Sequence, residues 1–190
     1  MKAFYFSKLD KKLSYGDNRV IKTGVTHKVD GPIEPCVNGL HASKRIIDAL
    51  KYAPGAHLWL VDLSGEVVVS DDKVCASERK YLAGFNAEKL LREFARKQAL
   101  INIEKIKPYC SESDHSLIIN WLKTGDIKFR SAAYSAAYSA ARSAARSAWS
   151  AAWSARSAAE SAWSAAWSAA NDMLLSMLEE KAPRIINKTG

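Results

Sequence analysis

The chain has 190 residues, and 28 lysine and arginine residues against 20 aspartate and glutamate residues give it a net charge of +8. This length favours one or two domains, and the charge is enough to attract acidic partners but too evenly spread to indicate nucleic-acid binding by itself. No run of 18 apolar residues predicts a transmembrane helix, and the N-terminus lacks the apolar stretch of a signal peptide. Three widely spaced cysteines argue against a disulfide framework and favour a reducing cytoplasm.

The composition divides the chain into three parts. Residues 1–130 are ordinary globular sequence that can bury a core, whereas the following 40 residues consist of serine, alanine and ten larger residues. We therefore expect a head domain at 1–130, a long repeat helix at 131–182 and a short tail at 183–190. The boundary between head and helix is predicted near Gly125, which has the position of a helix C-cap.

The head is predicted to be α+β, with a small mixed sheet and several helices. Short apolar runs predict strands at 3–6 and 58–63, and residues 20–29 predict a further strand or hairpin arm. Residues 66–69 are predicted to form the second strand of a hairpin whose turn is Ser64-Gly65.

Helices in the head are predicted to begin at three N-cap residues. Ser43 precedes a short apolar helix, Asn86 precedes a helix that runs to about Ile101, and Ser111 begins a capping box for the last helix of the head.

The repeat predicts one long, coiled-coil-like helix. Its larger residues are three and four positions apart, which keeps them on one helix face, while serines and bare alanines occupy the others. Alanine has the highest helix propensity, and the later alternation of threes and fours averages 3.5, as in a coiled coil. The predicted interface residues are Tyr134, Tyr138, Arg142, Arg146, Trp149, Trp153, Arg156, Trp163 and Trp167.

This bulky face is expected to be covered by a partner, because four tryptophans in water would expose a large apolar surface. Tyr, Trp and Arg dominate interface energetics, so self-association into a homo-oligomer is the favoured interpretation. Stacking on single-stranded nucleic acid and lying at a membrane surface are alternatives, although three arginines and one glutamate give the face little charge for either. A disordered low-complexity tail is a further alternative, which the regular spacing disfavours.

Four segments of the head carry a resemblance to a known family. They are Gly39-Leu40-His41-Ala42-Ser43 and residues 48–52, 59–66 and 72–77. In these segments the chain resembles an uncharacterised domain family that is common in bacteriophages and prophages, and the resemblance covers about residues 1–85. Members often carry C-terminal Ser-Ala-Ala repeats, commonly with Gly and Asn between them, whereas Trp, Tyr and Arg stand there in this chain.

The family resemblance implies a binding or structural module in the cytoplasm of a host cell. The family has no established activity, so the resemblance implies none for this chain. A host protein as partner, and inhibition of a host system, are the roles that a phage origin implies.

The same region also resembles the core of ADP-ribosyltransferases. The similarity lies in Gly-x-His-x-Ser at 39–43, a helix ending in Ala-x-x-Tyr, and a strand ending in Gly-Glu. This resemblance implies an enzyme that uses NAD, in which Ser43 and Tyr52 line the cofactor site and His27 contacts ribose. Glu66 or Glu78 would then be the catalytic carboxylate.

Each of these residues also has a structural interpretation. Ser43 fits a helix N-cap, Tyr52 a core aromatic residue and Glu66 a solvent-exposed charge in a turn. His41 is either a buried structural histidine or, if it lies in a cleft, a ligand contact or general base. Cys36 is close to His41 in sequence, which suggests a catalytic Cys/His pair with Cys36 as the nucleophile, but no third group that would orient the histidine accompanies them.

Metal and phosphate chemistry have little support in the sequence. The histidines and cysteines lack the spacing of a metal site, and the glycines form no phosphate-binding loop. We therefore expect no metal, and no cofactor except NAD under the enzyme alternative.

Overall fold

The computed structural model describes residues 1–151 and 156–183, and the side chains of residue 142 and of residues 145–165 are outside that description. The chain divides into two units. The first, the N-terminal unit, consists of Met1–Leu91 together with the chain from Ala169 onward, and the second, the helical unit, of Arg92–Ser168. The C-terminal part of the predicted repeat helix therefore groups with the N-terminal residues, and the expected division into head, helix and tail stays a prediction.

The α+β class is confirmed by the order of the elements along the chain. The strands are β1 (Lys2–Ser7), β2 (Thr26–Lys28), β3 (Leu40–Ala42), β4 (His57–Val69) and β5 (Val74–Asn86). The helices are α1 (Ile46–Lys51), α2 (Glu88–Ile101), α3 (Glu112–Thr124), α4 (Ile127–Ala151) and α5 (Arg156–Lys181), with a 3-10 helix at Ile103–Tyr109.

All strand pairings in the described part of the chain are antiparallel, so the prediction of a mixed sheet is wrong. Strands β1, β4 and β5 are neighbours in that order, and β2 and β3 both pair with β5. Parallel pairing requires a long crossover connection, whereas β4 and β5 are joined by the short segment 70–73. Phe4 of β1 also exchanges backbone hydrogen bonds of 2.8 and 2.9 Å with Ser43, which follows β3. The sheet therefore curls until β1 meets the end of β3.

The long β4–β5 pair corrects the predicted hairpin turn at Ser64-Gly65. Strand β4 continues through these residues, and its register with β5 shifts between Ser64 and Val67, which marks a bulge. Gly65 has a φ of +74°, a left-handed conformation that glycine adopts without strain. The chain reverses instead at residues 70–73, where the N–H of Ser70 bonds to the carbonyl of Lys73 at 2.9 Å.

One core cluster of the N-terminal unit forms on one face of the curled sheet, and the opposite face is buried too, through Phe4, Phe6, Leu58 and Leu60. Alternate residues of β1, β3, β4 and β5 contribute to the cluster, because successive strand residues face opposite sides. Trp59 and Tyr81 meet edge to face with ring centroids 5.5 Å apart. The buried members of the cluster are Ala3, Leu13, Ile21, Leu40, Ala42, Trp59, Val61, Leu63, Val74, Ala76 and Tyr81.

Helix α1 begins later than predicted, so Ser43 as its N-cap is wrong. The backbone of Ser43 pairs with Phe4 and stays extended, and the N-cap is Arg45, whose side chain makes no capping hydrogen bond. The side-chain oxygen of Asn171 in α5 accepts a hydrogen bond of 3.3 Å from the N–H of Ile47 instead.

The C-terminal half of α5 is a buried part of the N-terminal unit. Its buried residues are three and four positions apart, so they form one helix face. They are Ala170, Asn171, Leu174, Met177 and Leu178.

The other predicted helix ends are confirmed. Asn86 accepts a hydrogen bond of 2.9 Å from the N–H of Glu88 as α2 begins, and Ser111 accepts one of 3.1 Å from the N–H of Asp114 in α3. Gly125 ends α3 in a left-handed conformation with φ of +68°.

Helices α3 and α4 pack through the bare alanines of the repeat. Ala133 and Ala136 of α4 are buried in a cluster with Ile118 and Leu122 of α3. Alanines let two helix backbones come close, and in this part of the repeat the neighbour is a helix of the same chain.

The single continuous helix predicted for 131–182 is described as α4 and α5, with residues 152–155 outside the description. Of the predicted interface side chains, Tyr134 and Tyr138 are 72% and 57% exposed and Trp167 is half-buried. The coiled coil stays a prediction. The remaining predicted interface side chains, which lie outside the described ones, are Arg142, Arg146, Trp149, Trp153, Arg156 and Trp163. Among the described helices, none is long and apolar enough to cross a membrane.

Candidate functional site

A cleft of about 740 Å³ lies in the N-terminal unit where β1 and β3 approach each other. We call it the β1–β3 cleft. Its walls come from β1, β3, the loops that precede β2 and β3, and the end of α1, and two cationic residues of the β4–β5 hairpin complete it. The residues that line it include Phe4, Tyr5, Phe6, Tyr15, Asp17, Cys36, Gly39, His41, Ser43, Tyr52, Lys73 and Arg79.

Gly39 allows the loop before β3 to press against β5. Its φ is +138°, which side-chain-bearing residues rarely adopt, and a Cβ atom there would collide with the Sγ of Cys75. The glycine that begins the resemblance motif therefore has a packing role, since it sets how close β3 and its loop come to β5.

Arg79 is the buried charge of the cleft. Its side chain is 2% exposed, its Nε and Nη2 donate hydrogen bonds of 3.0 and 2.8 Å to the hydroxyl of Tyr81, and its Nη1 donates to the carbonyl of His41. The guanidinium carbon lies 3.7 Å from the ring centroid of Tyr5, a cation–π distance. A fixed positive charge is thus held between two tyrosines at the wall of the cleft.

His27 is close to this cluster but does not line the cleft. It is buried, and its Nδ1 lies 3.1 Å from the hydroxyl of Tyr81. Burial lowers the pKa of His27, and the positive charges of Arg19 and Arg79 lower it further. A neutral imidazole accepts the Tyr81 proton at Nδ1, so His27 orients the hydroxyl that holds Arg79.

Cys36, His41 and Lys73 form a second polar cluster on the cleft wall. The Nζ of Lys73 donates a hydrogen bond of 2.8 Å to the Sγ of Cys36, and the backbone N–H of Cys36 donates one of 3.1 Å to the Nε2 of His41. The bond to Cys36 raises the pKa of Lys73, so the amine stays protonated. Burial, with Lys73 and Arg79, lowers the pKa of His41. His41 therefore lies in the cleft as a neutral acceptor.

Tyr52 lies at the rim of the cleft rather than in the core, so the structural interpretation of it as a core aromatic is wrong. It is 53% exposed, and its hydroxyl donates a hydrogen bond of 2.7 Å to Asp72, which also accepts one of 2.9 Å from Lys51. These two hydrogen bonds, the one from Tyr52 first, lower the pKa of Asp72. The Asp72 carboxylate is therefore ionised and hydrogen-bonded to both Tyr52 and Lys51.

The structure brings together three of the six sequence candidates. His41, Ser43 and Tyr52 line the cleft. Glu66 and Glu78 are not among its lining residues, and the carboxylate of Glu78 bonds to Lys28 at 2.5 Å and to the hydroxyl of Ser64 at 3.1 Å.

The residues that give the cleft its charge were not predicted from the sequence. Arg79 lies in a run of polar residues, 77–80, that has the composition of an exposed segment. A signal was present in the strand alternation, because Arg79 shares the parity of Tyr81 and faces the same side as that aromatic residue. Lys73 gave no signal, since only the turn at 70–73 brings it to Cys36.

The described residues contain no group of three or more His, Cys, Asp or Glu side chains arranged to hold a metal ion.

Comparison with known proteins gives one similarity. No curated protein and no solved structure matches the chain. Residues 9–93 match the model of a family described as a domain of unknown function, DUF7666. This range contains most of the β1–β3 cleft, including Gly39, His41 and Arg79. The N-terminal part of the chain is therefore similar to an uncharacterised domain family.

Proposed function

We propose that the chain is a binding module of phage or prophage origin, which holds a ligand in the β1–β3 cleft and forms oligomers through its repeat helices. The cleft carries this proposal. Its volume of about 740 Å³ lies within the range of ligand pockets, and its walls combine aromatic and apolar side chains with a few polar groups.

The charges in the cleft favour binding over catalysis. Asp17 is the carboxylate among the lining residues, and it bonds to Arg19 at 2.6 Å. The hydrogen bond from Arg19 lowers the pKa of Asp17, so this carboxylate is ionised and engaged. A general acid or base needs a pKa near the working pH, and the lowered pKa of Asp17 does not meet that requirement.

A neutral aromatic compound tests whether the cleft binds ligands. Benzyl alcohol is titrated into the full chain and amide shifts are followed by NMR. We expect saturable shifts in β3 and in the adjoining part of β5, because the cleft wall contains residues of both strands. Shifts scattered over the surface, or none at all, would contradict a ligand-binding cleft.

Self-association is supported by the tyrosines of α4. Tyr134 and Tyr138 are one turn apart and exposed, whereas Ala133 and Ala136 beside them are buried against α3. We infer that a second copy of the chain packs on this exposed bulky face, which continues in sequence toward the tryptophans.

Sedimentation velocity of the full chain tests the assembly. We expect oligomers at micromolar concentration and a lower order for the double variant Tyr134→Ser, Tyr138→Ser. The exposed Ser135 and Ser139 give a matched control, since changing both to alanine leaves the bulky face intact. A monomeric wild-type chain would rule out self-association. Truncation at residue 130 is unsuitable, because it removes Leu174 and Leu178 from the N-terminal unit.

A host partner is the remaining element of this proposal. A cytoplasmic binding module of a phage would act by sequestering a host protein or small molecule. Affinity capture from host lysate, compared with a cleft variant such as Tyr5→Ala, identifies a partner that depends on the cleft.

An ADP-ribosyltransferase-like enzyme is the second candidate. It is favoured by one observation, the presence of His41, Ser43 and Tyr52 along the same cleft. Calorimetry with NAD and an assay for nicotinamide release test it, with Glu66→Gln and Glu78→Gln as variants. Nicotinamide release that is lost in one of these variants supports the enzyme, whereas an absence of binding and turnover in the wild-type chain rejects it.

A further inference from the structure

Arg79 carries a positive charge that no carboxylate of the described residues neutralises. An arginine stays protonated inside proteins, and a buried charge is costly unless it is paired. The ion pairs formed by described residues do not include Arg79. Glu78 precedes it in β5, but its carboxylate is held by Lys28 and Ser64.

The contacts of Arg79 leave part of its hydrogen-bonding capacity unused. Three of the five N–H donors of the guanidinium bond to Tyr81 and to the carbonyl of His41. One N–H remains on each terminal nitrogen. Unused guanidinium donors of this kind suit the oxygens of a carboxylate or phosphate.

The groups around Arg79 are neutral, so they do not supply the missing charge. Burial raises the pKa of Tyr81, which keeps its hydroxyl protonated. The pKa values of His27 and His41 are both lowered, mainly by burial, and Arg79 contributes to each shift. The groups around the guanidinium thus fix its orientation but do not neutralise its positive charge.

The rest of the cleft indicates the body of the ligand. Lys73 provides a second cation on the wall, and its Nζ lies 5.4 Å from the ring centroid of Tyr52. The aromatic rings of Tyr5, Tyr15 and Tyr52 line the same space, which favours a flat apolar group beside the anion.

We propose that the β1–β3 cleft binds a small molecule with a carboxylate or phosphate on a planar ring, and that Arg79 is its anion receptor. This inference rests on the proposed binding function and names the class of ligand. The bound oxyanion completes the charge pair that the chain itself leaves open.

Calorimetry of the full chain with three probes tests the proposal. Phenyl phosphate, benzoate and the neutral benzyl alcohol share a ring and differ in charge. We expect at least one of the two anions to bind at least tenfold more tightly than benzyl alcohol, and the tighter anion tells whether the site prefers phosphate or carboxylate.

Two variants separate the receptor from general charge. Arg79→Gln is expected to lose the tenfold preference for the anion over benzyl alcohol. Lys80→Gln removes an exposed charge from the next position of β5 and is expected to keep the preference. Equal loss in both variants would overturn the assignment to Arg79.

A measurement on the wild-type chain keeps the test valid if Arg79→Gln does not fold. The Nε–H resonance of Arg79 is expected to shift with the anion and not with benzyl alcohol. An unmoved resonance, or anions no tighter than benzyl alcohol, would overturn the anion receptor while benzyl alcohol binding still supports the cleft. Failure of all three probes would reject the binding function as well.

Discussion

The side-chain oxygen of Asn171 accepts a hydrogen bond from the backbone N–H of Ile47, which is 124 positions earlier in the chain. This contact supplies α1 with the cap that Arg45 does not provide. The first N–H groups of a helix have no partner within the helix, so a side chain from elsewhere can satisfy one of them. The C-terminal helix thus stabilises the helix that forms one wall of the β1–β3 cleft.

Replacing Asn171 by alanine is expected to lower the free energy of unfolding by about 0.5–2 kcal/mol, the usual cost of losing a helix cap. Urea denaturation of the full chain measures it. Asn171→Asp keeps an acceptor oxygen and is expected to retain most of the stability. Ser176→Ala, on an exposed position of α5, is the neutral control. Equal stability of Asn171→Ala and the wild-type chain would show that the contact has no energetic weight.

A bulkier residue at Ala133 is expected to disrupt the packing of α3 on α4. Ala133 is 1% exposed and clusters with Ile118 and Leu122, so leucine there forces volume into a filled space, at a cost of about 1–3 kcal/mol. The adjacent Ala132 is exposed, and Ala132→Leu is expected to change stability by no more than about 0.5 kcal/mol. Thermal unfolding of the two variants tests this prediction, and equal melting temperatures would contradict the close packing of α3 on α4.

Gly39 and Gly16 give a matched pair for the loop before β3. Both have positive φ, but a Cβ at Gly39 collides with Cys75 whereas a Cβ at Gly16 meets nothing within 4 Å. Gly16→Ala is therefore expected to cost only the backbone strain, about 1 kcal/mol, and Gly39→Ala clearly more, because the β3 loop has to move away from β5. Urea denaturation compares them, and a loss at Gly39 no larger than at Gly16 would argue against the close approach.

Stability is expected to fall as the pH drops below about 6.5. The pKa values of His27, His41 and His57 are each lowered in the folded chain, chiefly because burial disfavours the charged imidazolium. The unfolded chain therefore binds protons near the ordinary histidine value of about 6.5 while the folded chain does not. The stabilisation is complete above that pH, and it is lost on acidification until the lowered folded-state values are reached.

The expected slope is up to about 1.4 kcal/mol per pH unit for each buried histidine within that window. Urea unfolding at pH 7.5, 6.5 and 5.5 measures this slope. NMR titration of the histidine ring protons shows which histidines contribute to it. Ring protons of His27 and His57 that titrate at or above pH 6.5 in the folded chain would refute the prediction.

Local features of the sequence were sufficient for many elements. The caps at Asn86, Ser111 and Gly125 depend on side chains and backbone conformations within a few residues, so they were predictable from neighbours alone. The helical character of the repeat followed in the same way from alanine content and spacing, and α4 and α5 agree with it.

Pairing between strands that are distant in sequence determined the parts of the sheet that local sequence patterns did not predict. Strand β5 contains the polar run 77–80, and pairing with β4 on one edge and with β2 and β3 on the other holds it in the sheet. The expected turn at Ser64-Gly65 became a bulge for the same reason, because continued pairing with β5 outweighed the local turn preference.

The cleft likewise follows from contacts between distant residues. By itself, the sequence determined the α+β class, the caps at Asn86, Ser111 and Gly125, the helical repeat and the motif at 39–43. Only the tertiary structure decided that Ser43 pairs with Phe4 and that Arg79 lies between Tyr5 and Tyr81. It also decided that Asn171 caps α1. The physical reason is that local conformation depends on near neighbours. The burial of a charge, and a helix cap from a distant part of the chain, depend instead on which surfaces meet when the sheet curls and the last helix packs.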